Sequence, residues 1–178
     1  MRKIMGLFAL AIGLLVAVAA TSATFAYFEA QRDVHIEVVS DENELIDLEP
    51  LQPYAYTGEG GVLTIALREN NPNYEEGYGK GVSPDSIYVF EHVFGVSNHL
   101  WEGMPICVEI NYNADEYKFF VGDYTGGYGD SPIYFILQPG EMKAVGIVIN
   151  STGYDAGDAI ADDIIIKAYA DLSNCEQG

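Results

Sequence analysis

Positive charge is scarce in this chain. Its 178 residues carry 8 Lys and Arg against 27 Asp and Glu, a formal net charge of −19 at pH 7. So acidic a surface repels nucleic-acid backbones and anionic headgroups, and no basic stripe is present to receive them. Nucleic acid is therefore not expected as a partner. Histidine is rarer still, with only His35, His92 and His99. None sits in an HExxH pattern, and no serine or cysteine occupies a nucleophile elbow. Adjacent carboxylates such as Glu75-Glu76 and Asp162-Asp163 arise readily in so acidic a chain and do not mark a glycosidase pair. The expectation is a protein that is not an enzyme and uses no cofactor.

Cysteine is limited to Cys107 and Cys175. There is no CxxC and no histidine at ligand spacing, so no zinc-type site is expected. In an exported chain two thiols can close one bridge, which here would staple the C-terminal tail to a strand. Two unpaired thiols are the alternative. Helical periodicity is lacking beyond the leader, and residues 156–163 are the only candidate for a short helix.

What the chain has begins with its leader. Arg2 and Lys3 precede an uncharged run from Ile4 to Ala20, followed by small and polar residues up to Ala26 and Tyr27. That order is the layout of a secretory signal peptide. Thr24 and Ala26 suit the small-residue positions before a cut, which places cleavage between Ala26 and Tyr27. The expected division is a signal peptide at 1–26 and a single domain at 27–178, secreted or at the cell surface. Continued through Phe28, the uncharged run is also long enough to span a membrane. An uncleaved anchor would give membrane contact through residues 4–28 only. A pilin-type cut after Lys3 is a third reading, but Lys3-Ile4 lacks the small residue such cuts use.

The mature part alternates as β-strands do. Val34, Ile36 and Val38 interleave with Asp33, His35 and Glu37. Leu63, Ile65 and Leu67 repeat the period, as do Ile106 to Tyr112, Ile133 to Leu137 and Val145 to Ile149. Residues 164–169 are nearly apolar on both faces, Lys167 excepted. Ile87 to Val96 is aromatic and β-branched, with its period broken at Glu91 and His92, which predicts two short strands or one bulged strand. Gly, Pro, Asn and Asp clusters separate these runs. The expected fold is all-β, a two-sheet sandwich of jelly-roll or immunoglobulin-like type after the N-terminal hydrophobic segment.

Two acidic clusters are candidate cation sites: Asp41, Glu42 and Glu44, and Asp155, Asp158, Asp162 and Asp163. Neither has EF-hand spacing, and the plainer reading is a solvated face. Asn150-Ser151-Thr152 is a glycosylation sequon at a strand end, with Asn150 the acceptor. The segment 27–39 is either the first strand of its own sandwich or a donor strand. A donor would add to a neighbour's sheet edge with Val34, Ile36 and Val38 as its buried face. Repeated head to tail, such a contact does not close and yields a filament.

The junction Thr24-Phe25-Ala26-Tyr27-Phe28 resembles the Thr-x-Ala-x-Phe junction of the TasA/camelysin group of fibre-forming surface proteins. Phe94-Gly95-Val96-Ser97-Asn98 and the turn Leu137 to Glu141 are also similar to that group and to related archaeal bundling pilins. The resemblance implies a jelly-roll domain whose N-terminal segment acts as a donor strand between subunits. It also implies that the partners are copies of the chain itself, with a companion surface subunit compatible. The chain departs from the bacterial members in its acidity and low Lys content. The competing reading is a membrane-anchored monomeric surface module that binds a ligand or cation.

Overall fold

The computed structural model describes residues 44–100, 103–161 and 163–176. These fall within one unit, Glu37–Gly178. In chain order the strands are β1 (Ile46–Pro50), β2 (Ala55–Thr57), β3 (Leu63–Ile65), β4 (Ile87–Asn98), β5 (Ile106–Asn111), β6 (Tyr117–Val121), β7 (Ile133–Leu137), β8 (Met142–Asn150) and β9 (Ile165–Tyr169). A short 3-10 helix follows at Leu172–Glu176. The described residues thus form an all-β sandwich.

One sheet has the order β1-β4-β8-β6 and the other β7-β5-β9, while β2 and β3 pair as a separate hairpin. All pairings are antiparallel. The alternation of each strand sets which side chains meet between the sheets. Phe94, Val96, Phe119, Val145 and Ile147 from the first sheet pack in one buried cluster with Ile106, Val108, Ile110, Phe135 and Leu137 from the second. Tyr112, just past β5, meets the Phe119 ring edge-on at 5.2 Å and ties the layers together. Burying each such side chain stabilises by roughly 1.5–3 kcal/mol.

The broken period in β4 is one bulged strand. Its register against β8 shifts between Phe90 and Phe94, and His92 takes a positive φ of 53°. The bulge turns Glu91 and His92 outward onto the loop after β6. There the Tyr124 amide donates to Glu91 Oε1 (2.8 Å), and His92 Nε2 lies 3.0 Å from Asp123 Oδ1. Opposite the bulge is Gly146, where a Cβ would collide with the Phe120 ring. That glycine lets Phe120 lie flat on the outer face, only 6% exposed.

Residues 156–161 and 163, the described part of the candidate helix 156–163, are loop, opened by the turn at 155–158 in which the Asp158 amide donates to the Asp155 carbonyl (3.1 Å). Gly157 carries a φ of 109° there, which breaks a helix. Among the described residues no helix is long and apolar enough to cross a membrane.

Candidate functional site

The feature most suited to a function is the edge formed by β9. It pairs on one side with β5, in a register that sets Cys107 against Tyr169, Glu109 against Lys167 and Asn111 against Ile165. Its other side has no strand partner among the described residues. An unpaired edge presents a row of free N–H and C=O groups, which natural sheets usually cover, charge or interrupt.

Three devices hold this edge in place from the outer face. Cys107, fully buried in β5, is bridged to Cys175 in the C-terminal 3-10 helix, 68 residues on (Sγ–Sγ 2.06 Å). Tyr169 donates its hydroxyl to Glu109 Oε2 at 2.7 Å, and Lys167 Nζ donates to Glu109 Oε1 at 3.2 Å. Glu109 is only 7% exposed, so its carboxylate needs these partners. The Tyr169 hydrogen bond, more than the Lys167 charge, holds its pKa below the usual carboxylate range despite the opposing cost of burial. The same contact raises the pKa of Tyr169, and Glu109 raises that of Lys167.

The inner face of β9 is apolar and incompletely covered. Ile164 and Ile166 pack against the core but stay partly exposed, and Ala168 is exposed. Ile165, on the outer face, is 54% exposed. The single charge of the strand, Lys167, points outward and is engaged by Glu109. The strand therefore lacks an inward charge that would discourage pairing.

The remaining sequence-derived candidates divide clearly. The donor segment with Val34, Ile36 and Val38, the Ala26–Tyr27 junction, His35, Asp41 and Glu42 lie outside the described residues. Asn150 is exposed at the end of β8, and its Oδ1 accepts from the Thr152 amide (3.0 Å) and hydroxyl (2.6 Å). Ser151 between them is buried, and its hydroxyl donates to the Ser83 carbonyl (2.6 Å). Of the second acidic cluster Asp162 also lies outside the described residues, and Asp155, Asp158 and Asp163 are not grouped as a cation site. Asp158 spends its carboxylate on the Asp155 amide (2.9 Å). Among the described residues no group of three or more His, Cys, Asp or Glu could hold a metal. Sequence reasoning missed the Glu109–Lys167–Tyr169 network. Its only signal was a lone glutamate inside an otherwise apolar alternating strand.

Fold and site together define the class: an acidic, disulfide-closed all-β sandwich in which β9 is an incompletely covered edge strand among the described residues. Over residues 38–173 the chain matches, and so belongs to, the family described as proteins of unknown function DUF1102. No curated protein matches it.

Proposed function

We propose that this chain is an exported structural subunit that polymerises into extracellular filaments or a surface layer by donor-strand complementation. Residues 27–39 of one copy would add as a strand to the β9 edge of the next. The observation that carries this reading is that edge: unpaired among the described residues, apolar toward the core and free of inward charge. Antiparallel addition would satisfy its backbone groups, and Val34, Ile36 and Val38 would cover Ile164, Ile166 and Ala168. The Cys107–Cys175 bridge suits an oxidising compartment, as export requires. The leader junction adds the resemblance to fibre-forming surface proteins. The role is structural rather than catalytic, and exposed Asn150 is the glycan acceptor.

The test uses two variants on the two sides of the contact. Ile36→Asp places a charge in the apolar groove, and Ala168→Glu places one at an edge position that already faces water. Both should leave the monomer folded, with the Ala168→Glu change in stability within about 0.5 kcal/mol, as for surface substitutions generally. Both should abolish filaments seen by electron microscopy, while His35→Asp on the opposite donor face assembles. Unfolding of the monomer by Ile36→Asp would instead place residues 27–39 in the chain's own sandwich. Normal assembly of Ala168→Glu would remove β9 as the acceptor. A parent chain that stays monomeric would leave the anchored surface module as the reading.

A further inference from the structure

The connection between β1 and β2, the long loop after β3 and the first half of β4 line a groove that includes no residue of β9. Two adjoining cavities of about 520 and 200 Å³ share Pro53, Asn73, Tyr74 and Tyr78. Aromatic rings line them in two groups. Phe90 meets Tyr54 edge-on at 4.9 Å and stacks on Tyr88 at 6.0 Å, and Tyr74 meets Tyr78 edge-on at 6.3 Å. The floor is fixed in advance. Asn71, 7% exposed, donates its amide to the carbonyls of Pro53 (2.9 Å) and Ala66 (2.7 Å) and accepts from the Asn73 amide (2.8 Å). The Tyr74 hydroxyl donates to the Tyr78 carbonyl (3.2 Å), and the Tyr88 hydroxyl accepts from the Ser83 amide (3.2 Å).

Other polar groups on the lining are uncommitted. Among the described residues the Tyr54 and Tyr78 hydroxyls, the Gln52 side-chain carboxamide and the Arg68 guanidinium have no hydrogen-bond or ion-pair partner. Lys80, Lys118, Lys143 and Lys167 are all ion-paired, which leaves Arg68 the single described cation without a carboxylate. Preset rings with a few convergent, unspent polar groups are the composition of a ligand site.

The lining also narrows the ligand chemistry. A net charge of −19 repels polyanions. Arg68 lines the smaller cavity and Glu75 the larger one, so neither sign of charge is favoured along the whole groove. What fits is an uncharged molecule with flat C–H faces for the rings and many hydroxyls for the amide, phenol and guanidinium groups. We propose that this groove binds a neutral saccharide chain, with more than one sugar unit spanning the two cavities. The proposal does not depend on assembly, since the groove uses no residue of β9 or of the segment 27–39.

The test is calorimetric titration of the purified chain with neutral hexasaccharides of glucose, mannose and N-acetylglucosamine, with a hexauronate and with a proline-rich peptide. At least one neutral sugar should bind, and its Kd should change less than about twofold between low and high salt, since no charge pair is made. Tyr78→Ala should weaken it by about tenfold, a loss on the order of 1.4 kcal/mol. Tyr78 is exposed, so the fold should survive, as thermal melting would show. Tyr128→Ala, at a similarly exposed tyrosine of the β6–β7 loop, should bind as the parent does. The proposal is overturned if no neutral sugar binds at millimolar concentration, or if Tyr78→Ala binds unchanged. Binding of the hexauronate alone with strong salt dependence, or of the peptide alone, also overturns it and reassigns the groove.

Discussion

β5 and β9 are neighbours in one sheet with opposite surroundings. β5 is buried on both faces: Ile106, Val108 and Ile110 point into the core, while Cys107 and Glu109 point outward and are still covered. No residue of β9 is buried, although four of its five residues are uncharged and hydrophobic or aromatic. Composition does not separate the two strands, and position does. β5 is central, with a strand on each side and the C-terminal 3-10 helix bridged over it. β9 is the last strand and has one neighbour among the described residues. An apolar strand left at an edge either finds a partner or is a liability, and that difference is the physical ground for the assembly proposal.

The comparison sharpens most if the same change is made in both strands. Ile110→Ala in β5 should destabilise the fold by about 2–5 kcal/mol, through lost burial plus the cavity left behind. Ile165→Ala in β9 should stay within about 0.5 kcal/mol. Denaturant midpoints of the two variants measure the gap. Equal losses would mean that β9 is covered in the monomer, and the edge would no longer be available to a second copy.

Next in size is the bridge. Replacing Cys107 and Cys175 together with serine should cost about 2–4 kcal/mol, because the loop it closes is long. The loss should also be uneven. Amide exchange in β7 should rise more than in β9, since the 3-10 helix that the bridge holds packs against β5 and β7, whereas β9 keeps its pairing with β5. Uniform loosening of both strands would show that the bridge acts on the unfolded chain alone.

Much of this arrangement was legible from alternation. The runs around Leu63, Ile106, Ile133, Val145 and Ile164 are all strands, and the break at Glu91 and His92 is the bulge of β4. β1 escaped notice because Pro50 and two acidic residues interrupt its apolar pattern, yet Glu49 faces water and Asp47 is only half-buried. β6 escaped because its outward Phe120 breaks the polar alternation. Only the structure reveals Gly146 as the bed for that ring. Residues 156–163 carry apolar residues at helical spacing, but two aspartates and a glycine close a turn at their start. Of the candidate site, the disulfide partners were visible as the only cysteines. The β9 edge was not, because strand order is a long-range property that no local pattern encodes.

The smallest effect lies where the two strands touch. Glu109 of β5 is held ionised by Tyr169 and Lys167 of β9, and the Tyr169 hydroxyl is the leading cause of its low pKa. A carboxylate with a depressed folded pKa stabilises the fold above its unfolded pKa, and that contribution is lost as pH falls through the folded value. The Glu109 contact should therefore weaken on the acid side, below the ordinary carboxylate range, and be constant at neutral pH. Tyr169→Phe keeps the ring and removes the hydroxyl, so Glu109 should titrate closer to its ordinary value and the acid limb should flatten. Glu109→Gln should flatten it further, with a loss at neutral pH of about 1 kcal/mol, because both partners reach water and can be rehydrated. Thermal melts from neutral to acid pH give both results. Parallel profiles for parent and Tyr169→Phe would mean that Lys167, with the Asn111 side chain, holds the carboxylate. The polar stitch between the buried strand and the exposed one would then be electrostatic, and high salt should loosen β9 from β5.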